Sequence, residues 1–254
     1  MGAIFKREFK SYFASPIGFI YLAAMYFFLG LYFWMTYSYG AAVVPEILTA
    51  MVTIIMFIIP VITMRSLAED KRQKVDQALF TAPIKVRDIV FGKFFAALVT
   101  CALGFAPTLI FEIIDMCYVS VNFLSYLYAL VGMLLFCAVL IAIGMFISSL
   151  TESTAIAGIG TLVANFILMF LPSISSLLDS SSSSSTSISV QWVANIVTGI
   201  KAAFAWILNG ISVTDVMDSF AEEIIDFTDV VYLASFAIVF IFLTIRSLDK
   251  RRWA

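Results

Sequence analysis

The chain has 254 residues, 62% of them hydrophobic and 13% charged, with a net charge of -2 and a mean hydropathy of +1.04. That apolar share exceeds what one aqueous core can hide, and no polar stretch is long enough to enclose a separate soluble domain. The absence of histidine excludes His-based acid/base catalysis, Ser-His-Asp triads and most zinc sites, and Cys101, Cys117 and Cys137 fit neither a metal spacing nor a disulfide framework.

The first element is predicted over Ile4 to Ala14. At 100° per residue, Ile4, Phe5, Phe9, Tyr12 and Phe13 share one half of the wheel, and Lys6, Arg7 and Lys10 the other. Glu8 intrudes on the apolar half. Ser15-Pro16 ends this helix and opens the next, since Pro suits a first helical turn and Ser can cap it. The stretch reads as an amphipathic elbow on the inner membrane surface, or as a basic flank that only sets topology. The apolar run behind it is too long for a signal peptide and no small-residue cleavage site closes it, so the segment is expected to be retained.

About 20 apolar residues are needed to cross the hydrocarbon core, and six stretches qualify: 17–37, 44–64, 94–114, 124–147, 155–173 and 229–247. Basic residues favour cytoplasmic loops. Lys6, Arg7 and Lys10 precede the first span, seven more lie between the second and third, and Arg246, Lys250, Arg251 and Arg252 follow the last. Fourteen of the 15 basic residues thus fall on one side, with Lys201 alone opposite, which predicts cytoplasmic termini. A seventh apolar stretch, Val190 to Val213, would place the C-terminal basic cluster outside. Its Gln191, Asn195, Thr198 and Asn209 line one face, so it reads as an amphipathic helix that does not cross.

The cytoplasmic connection runs from Arg65 to Lys93. Arg65 to Thr81 has no Gly or Pro and is predicted as one helix, with Leu67, Val75, Ala78 and Leu79 on a stripe and Glu69, Asp70, Gln73, Asp76 and Gln77 elsewhere. Ala82-Pro83 breaks it. Such a helix suits docking into a partner's groove, or is a solvated loop whose charges serve topology; composition leaves the two level.

Inside the spans, Glu112 and Asp115 lie one turn apart near the outer end of the third, as candidate pathway carboxylates or simply residues at the water boundary. Pro60 and Pro107 are expected to kink their helices. Ala157, Gly158, Gly160 and Ala164 are small packing positions, and Asn165 is a mid-membrane amide that lines a path or bonds a neighbouring helix. The outer region, about 174–228, holds the run Ser180 to Ser185, the amphipathic helix above and an acidic helix from Asp215 to Ile225 capped by Thr214.

Phe5-Lys6-Arg7-Glu8-Phe9-Lys10-Ser11-Tyr12-Phe13-Ala14-Ser15-Pro16, then Gly30-Leu31-Tyr32-Phe33-Trp34, resembles the start of ABC-2-type permeases of the gliding-motility branch. So do Met64-Arg65-Ser66-Leu67-Ala68-Glu69-Asp70-Lys71-Arg72 running to Ala82-Pro83 and Gly92-Lys93, and the ending from Ile225 to Trp253. The resemblance covers nearly the whole chain in order. It implies an all-α integral membrane protein with one transmembrane domain over 1–254, in a bacterial plasma membrane. Six transmembrane helices are joined by an N-terminal elbow (Phe5, Lys6, Arg7, Phe9, Tyr12), a cytoplasmic coupling helix (Arg65, Glu69, Arg72, Asp76, Leu79, Pro83) and outer helices between spans five and six. It further implies two ABC ATPase subunits that carry ATP and Mg, a second permease copy or homologue, and room for an extracytoplasmic accessory protein; no nucleic acid is implied. Two departures stand out: Lys74-Val75 where the family commonly has Gly-Thr, and the serine run in the outer connection.

The chain lacks a GxxxxGK[ST] phosphate loop, so an energy source on another polypeptide is expected, with export by alternating access the leading reading. A secondary transporter or channel would carry more ionisable groups mid-membrane and interrupted helices in related halves. An intramembrane enzyme has only Glu112 and Asp115 to draw on. A scaffold that transmits force without carrying a solute is the alternative within the family, and Asn165 and Glu112 are the candidate pathway residues.

Overall fold

A computed structural model describes residues 2–38, 44–74, 85–118, 123–182 and 227–252, and among these the regular structure is helical throughout. In chain order the helices are α1 (Gly2–Ala14), α2 (Pro16–Ser38), α3 (Val44–Thr63), α4 (Ala68–Arg72), α5 (Val86–Gly104), α6 (Ala106–Tyr118), α7 (Phe123–Leu150), α8 (Thr154–Ser182) and α9 (Phe227–Arg252). Among the described residues, five helical stretches are long and apolar enough to cross a membrane: Pro16–Ser38, Val44–Arg72, Val86–Cys117, Phe123–Leu150 and Thr228–Lys250. The fifth predicted span, 155–173, is represented by a shorter apolar helix, Thr154–Phe170, within α8.

The most buried of the five is α7, which packs against α3, α5, α8 and α9. Large apolar side chains point away from the bundle: Trp34 is 70% exposed and Ile159 66%. A water-soluble surface does not carry so many, whereas a lipid-facing one does. Close approach of α3, α7 and α8 depends on Gly144, where a Cβ would collide with Thr63 Oγ1 and meet Thr161 Cγ2 at 3.0 Å. Gly160 plays the same part against Ile147 Cγ2, where a Cβ would stand 2.9 Å away.

The break between α1 and α2 falls at Ser15-Pro16 as expected. Ser15 closes α1 rather than capping α2: its N–H donates to Ser11 O at 3.1 Å and its hydroxyl to Tyr12 O at 3.3 Å. Gly18 allows the turn, because a Cβ there would lie 2.5 Å from Tyr12 O.

The two prolines act differently. Pro60 stays inside α3, where it withholds an N–H from Met56 O. The third predicted span is two helices, α5 and α6, separated at Phe105 (φ -90, ψ 0). Pro107 falls in the first turn of α6, where an N–H has no intrahelical acceptor anyway.

The connection between the second and third predicted spans departs from the single helix predicted over 65–81. Residues 64–67 form a turn, α4 covers only Ala68–Arg72, and Lys74 takes a left-handed φ of 56 that leaves the helix. Five residues are too few for helix propensity to decide the outcome; the contacts below fix the start and the stop. Asp76, Leu79 and Pro83 lie outside the described residues, as do the amphipathic and acidic outer helices and the second half of the serine run.

Candidate functional site

Arg7, Glu8, Arg65, Glu69, Asp70, Lys71 and Lys93 gather at one end of the bundle, where α1, α4, α5, α7 and α9 meet. Lys93, on α5, is 1% exposed. Its ammonium lies 2.8 Å from Asp70 Oδ2 on α4 and 3.0 Å from Glu8 Oε1 on α1, and donates to Ser66 O at 2.7 Å. Three acceptors meet three donors, so the buried cation is fully satisfied. Glu8, the residue that spoils the apolar half of α1, is there for this bond. Arg7 Nη2 donates to the same Oε1 at 2.7 Å. Burial pushes the Glu8 carboxyl up, but Lys93 and Arg7 outweigh it and hold the group below the ordinary carboxylate value. Next to Lys93, Gly92 lets α1 come close: a Cβ there would stand 3.0 Å from Ile4 Cγ2.

The rest of α1 behaves as its periodicity predicts. Ile4 and Tyr12 are buried, Lys6, Arg7 and Lys10 exposed. Phe5, Phe9 and Phe13 run in file, with ring centroids 6.0 and 5.1 Å apart, and Phe13 meets Phe19 of α2 edge-on at 5.9 Å.

Arg65 grips Glu69 with two nitrogens: Nη2 donates to Oε1 at 2.8 Å and Nε to Oε2. Gln73 Nε2 donates to the same Oε1 at 2.9 Å. Arg72 is exposed. At the start of α4 the N–H groups of Leu67 and Ala68 donate to Ser148 Oγ of α7, at 3.1 and 2.9 Å. Near its end Lys71 donates to Ser149 O. The Ser149 and Ser247 hydroxyls, 3.1 Å apart, carry the network into α9. Between α1 and α4 opens a cleft of about 300 Å³ lined by Arg7, Glu8, Tyr12, Arg65, Glu69 and Asp70, among others.

Arg65, Glu69, Arg7 and Tyr12 thus line one cleft. The pathway candidates lie elsewhere. Asn165 is buried on α8, and its Nδ2 donates to Met56 O of α3 at 2.9 Å. Of its two predicted roles, bonding a neighbouring helix is the one seen, although its Oδ1 has no partner. Glu112 and Asp115 are buried on α6, and Glu112 Oε1 and Oε2 and Asp115 Oδ2 have no hydrogen-bond partner. Thr108, one turn before Glu112, meets the Tyr126 hydroxyl at 2.9 Å.

Sequence reasoning missed Lys93, Ser148, Ser149 and Ser247 as members of the site. Glu8 was the available signal: a carboxylate on an apolar stripe asks for a buried cation.

The family model for ABC-2 family transporter proteins matches residues 9–246. The chain belongs to the ABC-2 transporter family. It is therefore a multi-pass membrane protein and a permease subunit of an ABC transporter. The ABC-2 permeases are transport subunits, generally non-catalytic, that work with an ABC ATPase. No curated protein matches the chain. The match takes in α4, Lys93 and the two serines of α7 in this ABC-2 permease, while Arg7 and Glu8 on α1 and Ser247 on α9 fall just outside it.

Proposed function

We propose that this permease is the membrane part of an exporter driven by a separate ATPase pair, with the charged end of the bundle in the cytoplasm and α4 as the docking segment. The observation that carries the reading is the anchorage of α4. A short charged helix that merely followed the topology rule would need no buried contacts, yet α4 is tied to α7 through Ser148 and Lys71 and to α5 and α1 through Lys93. Such bracing suits a segment that receives a push and passes it to the spans.

On this reading α1 is the elbow, lying on the inner membrane surface. The fifth apolar helix crosses together with the other five, giving six spans, cytoplasmic termini and an outer region between spans five and six. Two copies of the chain, or the chain and a homologue, rock about their interface when ATP and Mg close the paired ATPases, alternating access to a path between them. The ordered motifs from Phe5 to Trp253 support an assignment to the gliding-motility branch.

The test is reconstitution in lipid with the ATPase that co-purifies with the full chain. The permease alone should hydrolyse no ATP, and should stimulate the ATPase when the two are combined. Glu69→Lys and Asp76→Lys should abolish the stimulation while membrane insertion persists. Normal stimulation in both variants contradicts the assignment of the docking segment.

A further inference from the structure

The start of α4 is capped from another helix. Leu67, at its N-cap position, offers no side-chain acceptor, and helix starts leave N–H groups that need one. Ser148 Oγ accepts from both Leu67 and Ala68, at 3.1 and 2.9 Å, and its own hydroxyl points to Met64 O at 3.4 Å. Ser148 is fully buried, so water does not compete for these bonds. One turn along α4, Lys71 donates to the carbonyl of Ser149, among the last carbonyls of α7, where helix ends leave acceptors free and favour a cation. The Ser149 hydroxyl then meets Ser247 on α9. Both ends of α4 are thereby fixed to two adjacent residues of α7, and α7 packs more extensively on α9 than on any other helix.

We infer that Ser148 is a positioning residue for coupling: its hydroxyl fixes the start of α4 to α7 and, together with the Lys71–Ser149 and Ser149–Ser247 bonds, makes α4, the end of α7 and the end of α9 move as one body. The inference rests on the reading of α4 as the docking segment. In this arrangement a push on α4 reaches the fourth and last spans directly, instead of being absorbed in the turn at residues 64–67.

The experiment uses the full chain in lipid nanodiscs with its ATPase, and compares Ser148→Ala with Ser148→Thr, which keeps the hydroxyl. Hydrogen exchange at the Leu67 and Ala68 amides should speed up about fivefold in Ser148→Ala, the equivalent of losing one helix cap, and stay slow in Ser148→Thr. Spin labels introduced at Gln73 and Lys250 should report a distance unchanged by ATP in the wild type and in Ser148→Thr. In Ser148→Ala that distance should change when ATP is added, as the start of α4 is released from α7 and its Lys71 and Asp70 ties alone no longer hold it in step. A labelled Ser148→Ala chain that matches the wild type in both readouts overturns the inference while leaving docking intact. ATPase binding at wild-type strength to Glu69→Lys sinks the docking reading, and this inference with it.

Discussion

Asn165 Nδ2 donates to the Met56 carbonyl oxygen at 2.9 Å, and Met56 is the residue whose helical partner is missing because Pro60 has no N–H. A carbonyl left open in a membrane interior has no water to turn to, and a neighbouring helix supplies the donor instead. The pairing explains how α3 keeps a proline within its last two turns. It predicts non-additivity. Asn165→Leu alone should lower unfolding stability in detergent by about 1 kcal/mol. In a Pro60→Ala background, where residue 60 can donate to Met56, the same change should cost much less. Equal losses in the two backgrounds would refute the pairing.

Lys93 joins three segments that are far apart in sequence, and it is buried. Removing only the cation leaves Glu8 and Asp70 facing each other in a poorly solvated place, so Lys93→Met should cost about 3 kcal/mol. Neutralising the partners as well, in Lys93→Met with Glu8→Gln and Asp70→Asn, should recover most of that loss. Thermal unfolding of the three-site variant against the single one checks the point.

The same ion pairs set an acid limit. The carboxyl of Glu8 is held below its ordinary value of 4.5 in the folded chain. A depressed carboxyl stabilises the fold at every pH above the unfolded value, and the benefit disappears as pH falls through the folded one. The seat of α1 on α5 should therefore be level from neutral pH down to about 4.5 and weaken below it. In Glu8→Gln the acid-dependent part should vanish. Limited proteolysis of α1 across an acid titration reads this directly.

The turn between α1 and α2 depends on Gly18. A Cβ there would meet the backbone carbonyl of Tyr12 at 2.5 Å, and backbone yields less readily than a flexible side chain. Gly18→Ala should cost about 2 kcal/mol and swing α1 away from α5, exposing Tyr12. Gly30, with open space around the corresponding position, is the control: Gly30→Ala should leave α1 seated. Cysteine labelling at position 12 in the two variants distinguishes them.

The apolar spans were legible because crossing a membrane demands length and composition together, and α2, α3 and α7 begin and end close to the predicted limits. Helix α1 was legible for the same kind of reason, since its periodicity and Ser15-Pro16 are local signals. What escaped was tertiary. Lys93 looked like one more topology charge until Glu8 and Asp70 were placed beside it. Ser148 falls just past the end of the fourth predicted span, and nothing local marks it as a cap for Leu67 and Ala68. The helix predicted over 65–81 was misjudged because propensity was asked to decide a segment whose ends are set by α7 and α5. Asn165 stood out as a mid-membrane amide, but its partner follows only once Pro60 is seen to free Met56 on the adjoining helix.

The central claim is that α4 faces the cytoplasm and receives the ATPase. Arg72 is exposed on α4 and takes no part in the buried network, so a photo-crosslinking residue in its place leaves the anchorage intact. Irradiation of membranes containing the full chain and its ATPase should yield an adduct between position 72 and the ATPase subunit. Arg72→Cys should likewise resist a membrane-impermeant maleimide added to intact cells. Modification of that cysteine from outside, with no ATPase adduct, would contradict the account.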